Sequence, residues 1–159
     1  MPQAEASIHI DAPPEAVFDF VADAPRIPEY VEFVRDVFDV TPGPVGAGTT
    51  LKEHAKPGPF PVVTHWRIDQ FERPAKQVWV GHQADMEMTL TKLISADGGG
   101  TRYHQIMEYR MLPRFRPLGW LLEKLVVARK METEFSKITA GIKRIVESEQ
   151  PARRSKGAG

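Results

Sequence analysis

The chain has 159 residues, and its 21 basic and 21 acidic side chains give a formal net charge of zero. This length fits a single domain, and the balanced charge argues against a dedicated nucleic-acid binder, which would carry a basic excess. The chain has no cysteine, which excludes disulfides, zinc–thiolate sites, iron–sulfur clusters and thiol catalysis.

The N-terminal residues and the hydropathy pattern bear on location. Residues 1–5 contain no basic segment, and no apolar stretch of the signal-peptide type follows them. No segment approaches the length and hydrophobicity of a membrane span. We therefore expect a cytoplasmic protein without stable membrane insertion.

The first part of the chain predicts a strand, two short helices and then a run of strands. Alternating apolar and polar side chains predict the first strand over residues 4–11. Pro13 and its neighbour favour a short helix over residues 14–22, and Pro25 begins a second one that runs through Val34. Six further strands, separated by turns rich in glycine and proline, are predicted over residues 36–41, 49–55, 62–71, 77–83, 86–95 and 101–111.

A long amphipathic helix is predicted over residues 115–147. Its apolar residues recur every three or four positions, which keeps them on one helical face. Gly141 is expected to let this helix approach the sheet closely. We expect residues 1–148 to form one domain and residues 149–159, which have no apolar period, to be a disordered polar tail. The stripe consists of Leu118, Leu121, Leu125, Ala128, Met131, Phe135, Ile138, Ile142 and Ile145.

This order of elements predicts an α+β domain. Strands joined by short turns usually pair antiparallel, so about seven strands would form a curved sheet wrapped around the C-terminal helix. Three segments resemble the START-like (SRPBCC) superfamily, which includes polyketide cyclase/dehydrase-like and Bet v 1-like proteins. They are residues 8–18 (IHIDAPPEAVF), 43–49 (GPVGAGT) and 99–102 (GGTR), and the resemblance extends over residues 4–147.

The resemblance implies the helix-grip fold and a hydrophobic ligand between sheet and helix. Members of the superfamily include carriers of lipids or quinones and polyketide aromatase/cyclases. The leading hypothesis is therefore a carrier or binding protein for a small hydrophobic molecule of lipid, quinone or polyketide type. The alternative is a cyclase-type enzyme that uses pocket histidine or tyrosine side chains as general acid and base. The sequence favours binding over catalysis, because it shows no nucleophile–base–orienter set.

The predicted inner faces of the strands give the candidate pocket residues. A hairpin that pairs Ile68 with Val80 and Trp66 with His82 would turn these four side chains inward. Polar groups among the inward side chains of the last two strands indicate a pocket more than a solid core. The predicted ligand-binding residues are Trp66, Ile68, Val80, His82, Met88, Leu90, Tyr103, Gln105, Met107, Tyr109, Leu118, Leu121, Leu122 and Leu125.

Candidate catalytic residues within this set are His82, Tyr103 and Tyr109. The five histidines of the chain are spread one to a strand, and none has the spacing of a metal-binding motif. We therefore expect no metal and no cofactor. The glycine-rich residues 43–48 lack the Lys-Ser/Thr of a phosphate-binding loop and are expected to form a plain hairpin turn.

Excess apolar residues at positions 120–127 leave the first half of the long helix apolar on nearly all sides. This segment is compatible with a ligand portal, a dimer contact, transient membrane contact or burial under the two short helices. The sequence does not decide between these, nor between a monomer and a homodimer.

Overall fold

The computed structural model describes residues 3–111 and 117–150, and for residues 117–124 it describes the backbone alone. Its elements follow the predicted order, with α1 and a short 3-10 helix inserted after the first strand. The elements are β1 (Gln3–Ile10), α1 (Pro14–Ala22), the 3-10 helix (Ala24–Glu29), β2 (Val34–Phe38), β3 (Thr50–Ala55), β4 (Val62–Glu72), β5 (Lys76–Gln83), β6 (Met86–Asp97), β7 (Gly100–Met111) and α2 (Pro117–Ser148).

The strands form one seven-stranded antiparallel sheet with the order β1-β7-β6-β5-β4-β3-β2. Most neighbours in the sheet are also neighbours in sequence, which short turns make favourable. The exception is β1, the first strand in sequence, which pairs with β7, the last one. With α2 packed against one face, this confirms the predicted α+β helix-grip architecture.

A bulge in β4 corrects the predicted β4–β5 register. Gln70 pairs with Val78 as predicted, but the register shifts between Ile68 and Gln70, so that Ile68 pairs with Trp79. Because Asp69 is an extra residue in β4, residues 79–82 of β5 pair one position away from the predicted register. The two faces of β5 are therefore the reverse of those predicted. Trp79 is therefore buried in the interior (1% exposed), in place of the predicted Val80.

The helical corner after β1 is shorter than predicted. The second helix is a single 3-10 segment that ends at Glu29, and Val34 already begins β2. Pro28 lies inside this segment, and its missing N–H and ring disfavour continuation as an α-helix. The corner packs Phe20, Ile27 and Tyr30 into the hydrophobic core.

The C-terminal half of α2 closes the core. Phe135, Ile138, Ile142 and Val146 are buried at the spacing of one helical face. Gly141 was predicted to let α2 approach the sheet closely. The close approach exists, but it is to the turn at Tyr30, after the 3-10 helix. A Cβ at Gly141 would lie 3.2 Å from the Cβ of Tyr30.

Past the end of α2, the Glu149 carboxylate pairs with Arg26 at 2.6 Å, which ties the C-terminus of the helix to the 3-10 segment. Residues 151–159, which make up most of the predicted polar tail, lie outside the described residues. The same holds for residues 112–116, where the long helix was predicted to begin.

Candidate functional site

A cavity of about 450 Å³ lies between the sheet and α2, within the size range of small-molecule sites. Its lining comes from the inner faces of β3 to β7, from the 3-10 corner and from α2. The lining also includes residues 57–59 of the β3–β4 loop and Val126 of α2, which is 66% exposed. The cavity therefore reaches the surface between that loop and α2.

The walls are mainly apolar and hold several of the predicted residues. From the sheet they contain aromatic and methionine side chains, which suit an irregular apolar guest. From α2 they contain Val127 and Met131, which are partly buried. Six of the predicted ligand-binding residues line the cavity: Trp66, Met88, Leu90, Tyr103, Gln105 and Met107.

The remaining predicted residues lie elsewhere. Ile68 and Tyr109 are buried in the core but do not border the cavity. Leu125 is 64% exposed, so its side chain is not part of a closed pocket wall. The side chains of Leu118, Leu121 and Leu122 lie outside the described residues.

Val80 and His82 do not face the cavity, which corrects the predicted pocket and its first catalytic candidate. The bulge in β4 turns both side chains to the other side of the sheet, and the His82 side chain is exposed. There His82 stacks on His65 with ring centroids 4.9 Å apart. Both histidines border a separate recess of about 340 Å³ that also includes Arg67.

Two ionisable side chains that are not among the predicted site residues are buried at the cavity. Glu53 of β3 is 7% exposed, and Lys92 of β6 is 4% exposed. Burial raises the pKa of Glu53 to about 7, against smaller lowering effects of the Trp66 N–H and the charge of Lys92. Burial lowers the pKa of Lys92 to about 7, and the negative charge of Glu53 opposes that change.

Lys92 is held by the C-terminus of α1. Its Nζ donates a 2.7 Å hydrogen bond to the carbonyl of Val21, one of the helix-end carbonyls that have no partner within the helix. The same Nζ lies 3.9 Å from the centre of the Trp79 ring, in cation–π geometry. Gln77 donates to the carbonyl of Phe18 at 3.1 Å and accepts from Trp79 Nε1 at 2.9 Å. Lys92 therefore caps the C-terminus of α1 from inside the sheet, and Gln77 bonds to the same helix one turn earlier.

Glu53, Trp66 and Tyr30 form a polar corner of the cavity. Trp66 Nε1 is near enough to the Glu53 carboxylate to lower its pKa, but it lacks hydrogen-bond geometry to any atom of the described residues. Burial and the negative charge of Glu53 raise the pKa of the Tyr30 hydroxyl. Because the indole N–H of Trp66 has no partner among the described residues, it can still donate a hydrogen bond.

Other inward polar groups already bond to one another. Tyr103 donates to Gln105 at 2.8 Å, two residues along the same strand. Thr64 donates to Gln83 at 2.9 Å across the β4–β5 pair. These pairs reduce the cost of burying hydroxyls and amides in the cavity wall.

A simple signal in the sequence could have found Glu53 and Lys92. In β3, Glu53 stands between Leu51 and Ala55 in an apolar alternation. In β6, Lys92 occupies the inward position after Leu90 in the same way. A charged residue at an inward position of a strand marks a candidate site, because burying its charge costs free energy unless a partner compensates for it.

Apart from the stacked pair His65 and His82, the histidines lie apart from one another, each beside a carboxylate. His9 lies 3.0 Å from Asp97, His104 lies 2.8 Å from Glu5, and His54 contacts Asp36, all as partly exposed pairs. Within residues 3–111 and 117–150, no three histidine, aspartate or glutamate side chains are grouped so that they could hold a metal ion.

The curved antiparallel sheet, the C-terminal helix and the cavity between them define a helix-grip protein of the START-like type. A family model described as "Polyketide cyclase / dehydrase and lipid transport" matches residues 1–147, and the chain belongs to that family. None of the helices in the described part of the chain combines the length and hydrophobicity that a membrane span requires.

Solved structures confirm the fold. A protein from Thermus thermophilus is 23% identical, with a TM-score of 0.73, and the match covers 92% of this chain and 98% of that one. A START superfamily protein from Mycobacterium smegmatis is 10% identical, with a TM-score of 0.72 and coverage of 92% and 97%. Ara h 8.0201 is 15% identical, with a TM-score of 0.59 and coverage of 88% and 96%. A comparison with curated proteins gives no match.

Proposed function

We propose that this protein binds a small, mainly apolar molecule in the cavity between the sheet and α2, as a carrier or binding protein. The observation that carries the proposal is the cavity of about 450 Å³ with its largely apolar walls. A well-packed domain of this size has few voids larger than a water molecule. A space of this volume is therefore more typical of a ligand site than of a packed core. The family description, which includes lipid transport, supports the same function.

A neutral dye tests this proposal. N-phenyl-1-naphthylamine fluoresces weakly in water and strongly in apolar surroundings, so binding is read as an increase in emission. We expect saturable binding to the wild type, and at least tenfold weaker binding to Leu90→Trp, which adds a ring inside the cavity. The control is Thr91→Trp, because the next residue of a strand points to the opposite face of the sheet.

The outcomes are distinct. A wild-type protein that gives no increase in emission contradicts ligand binding in this cavity. Equal binding by both tryptophan variants places the dye elsewhere on the surface and also counts against the proposal. Native mass spectrometry of the purified protein adds a second readout, since a bound cellular molecule appears as a mass increase that disappears on denaturation.

Acid–base catalysis is a second candidate function, and the observation that favours it is Glu53. Its carboxyl group borders the cavity, and a pKa of about 7 suits proton transfer near neutral pH. 2-Tetralone is an apolar, enolisable ketone that tests this property. We expect wild-type protein to accelerate exchange of its α-protons in D2O, followed by NMR, and Glu53→Gln to abolish the acceleration. His82→Ala should retain it, and exchange at the buffer rate in wild type argues against catalysis.

A further inference from the structure

The polar corner of the cavity combines an unused donor with a buried acceptor. Trp66 is 8% exposed, its Nε1 has no hydrogen-bond partner among the described residues, and both Trp66 and Glu53 line the cavity. Glu53 pairs with Thr64 in the β3–β4 register, so Trp66, two residues on, is its diagonal neighbour on the inner face. An indole N–H can only donate, and an ionised carboxylate can only accept.

We propose that this corner binds the hydroxyl group of an apolar alcohol or phenol. The hydroxyl oxygen accepts from Trp66 Nε1, and its proton is donated to Glu53. The inference rests on the proposed function, because it names the head group of a ligand whose apolar body fills the cavity.

Other head groups satisfy the corner less well. When Glu53 is ionised, a carbonyl accepts from Trp66 but has no proton to donate to Glu53. A carboxylate accepts from Trp66 but brings a second negative charge beside Glu53, and an ammonium group donates to Glu53 but leaves the indole N–H without an acceptor. Lys92 does not replace the ligand, because its Nζ is bonded to the Val21 carbonyl and lies over the Trp79 ring.

Naphthalene and 2-naphthol are a matched pair of probes that differ by one hydroxyl. We would measure both dissociation constants by calorimetry at pH 8, where most of Glu53 is ionised and a phenol stays neutral. The deciding quantity is the ratio of the naphthalene constant to the 2-naphthol constant. We expect Glu53→Leu to lower this ratio at least about tenfold, the usual effect of losing a hydrogen bond to a charged group.

Two further variants make the result specific. Trp66→Phe removes the N–H while it keeps an aromatic ring in the wall, and it should lower the same ratio. Glu108→Gln, on the exposed face of β7, should leave the ratio unchanged. Circular dichroism melting curves establish that each variant is folded before the titrations are compared.

The possible results separate this inference from the proposed function. If wild-type protein binds neither probe, cavity binding itself fails. If it binds both and the ratio does not change in Glu53→Leu or Trp66→Phe, the hydroxyl site is overturned while apolar binding stands. If 2-naphthoate binds as tightly as 2-naphthol, Glu53 does not discriminate against an anionic head group and the preference for a hydroxyl is overturned.

Discussion

Burial of Glu53 predicts an unusual dependence of stability on pH. In the folded protein its pKa is about 7, against an ordinary value of 4.5. At a pH between these two pKa values, the folded state holds a proton on Glu53 that the unfolded state has released. The free energy of unfolding therefore falls as the pH rises through this range. Each unit of difference corresponds to about 1.4 kcal/mol, which puts the whole loss at up to roughly 3.5 kcal/mol, complete about one unit above pH 7.

Glu53→Gln removes this titration while it keeps the shape of the side chain. Urea unfolding of the wild type and the variant, followed by circular dichroism at pH 5, 6, 7 and 8, gives the difference in unfolding free energy at each pH. We expect the wild type to lose roughly 2–3 kcal/mol relative to the variant over this range. The titrations of exposed carboxylates and histidines are common to both proteins and cancel. A difference that stays constant with pH would refute the buried position of Glu53.

Lys92 acts in the opposite direction at higher pH. Its folded pKa of about 7 lies below the ordinary 10.5, so above pH 7 the unfolded state binds more protons than the folded state. Stability therefore rises again as the pH increases from 7 toward 10. The two residues together predict a minimum of wild-type stability near neutral pH, and Glu108→Gln, on the exposed outer face of the sheet, should retain that minimum.

Three other substitutions test particular contacts. Gly81→Ala places a Cβ 2.6 Å from the Trp66 ring, so we expect a loss of about 1–3 kcal/mol and altered tryptophan emission, whereas Gly46→Ala, with no atom within 4 Å, should show neither. His82→Ala should leave dye binding within twofold of wild type, because the side chain is on the other side of the sheet; a large loss would contradict the β5 register. Arg26→Ala breaks two partly exposed ion pairs and a cation–π contact with Phe20, and its cost in urea unfolding should be about 1–2 kcal/mol.

The alternation of β7 made its inner face predictable. Tyr103, Gln105 and Met107 follow a two-residue period without interruption, and the glycine-rich turn before β7 holds its register with β6. The same reasoning failed in β5, because the bulge at Asp69 has no mark in the sequence that distinguishes it from regular strand. One extra residue was enough to exchange Val80 and Trp79 between the interior and the outside.

The charged part of the candidate site was missed for a different reason. Pattern reading assigns charged residues to solvent, and it cannot show that the end of α1 supplies a carbonyl for Lys92. The close spacing of Glu53 and Trp66 likewise depends on the β3–β4 pairing, which joins residues from separate segments. Sequence patterns thus predicted the apolar walls of the cavity but not its polar corner.

The pairing of β1 with β7 also has a consequence for how the protein is made. During synthesis, β1 emerges first but has no partner until β7 follows, roughly 5–20 s later at ordinary rates of translation. Until then the inner face of the growing sheet lacks both its edge strand and α2. If the protein binds an apolar molecule as proposed, a molecule that associates with this face is enclosed as the chain folds around it, and loading and completion of the fold are then a single event.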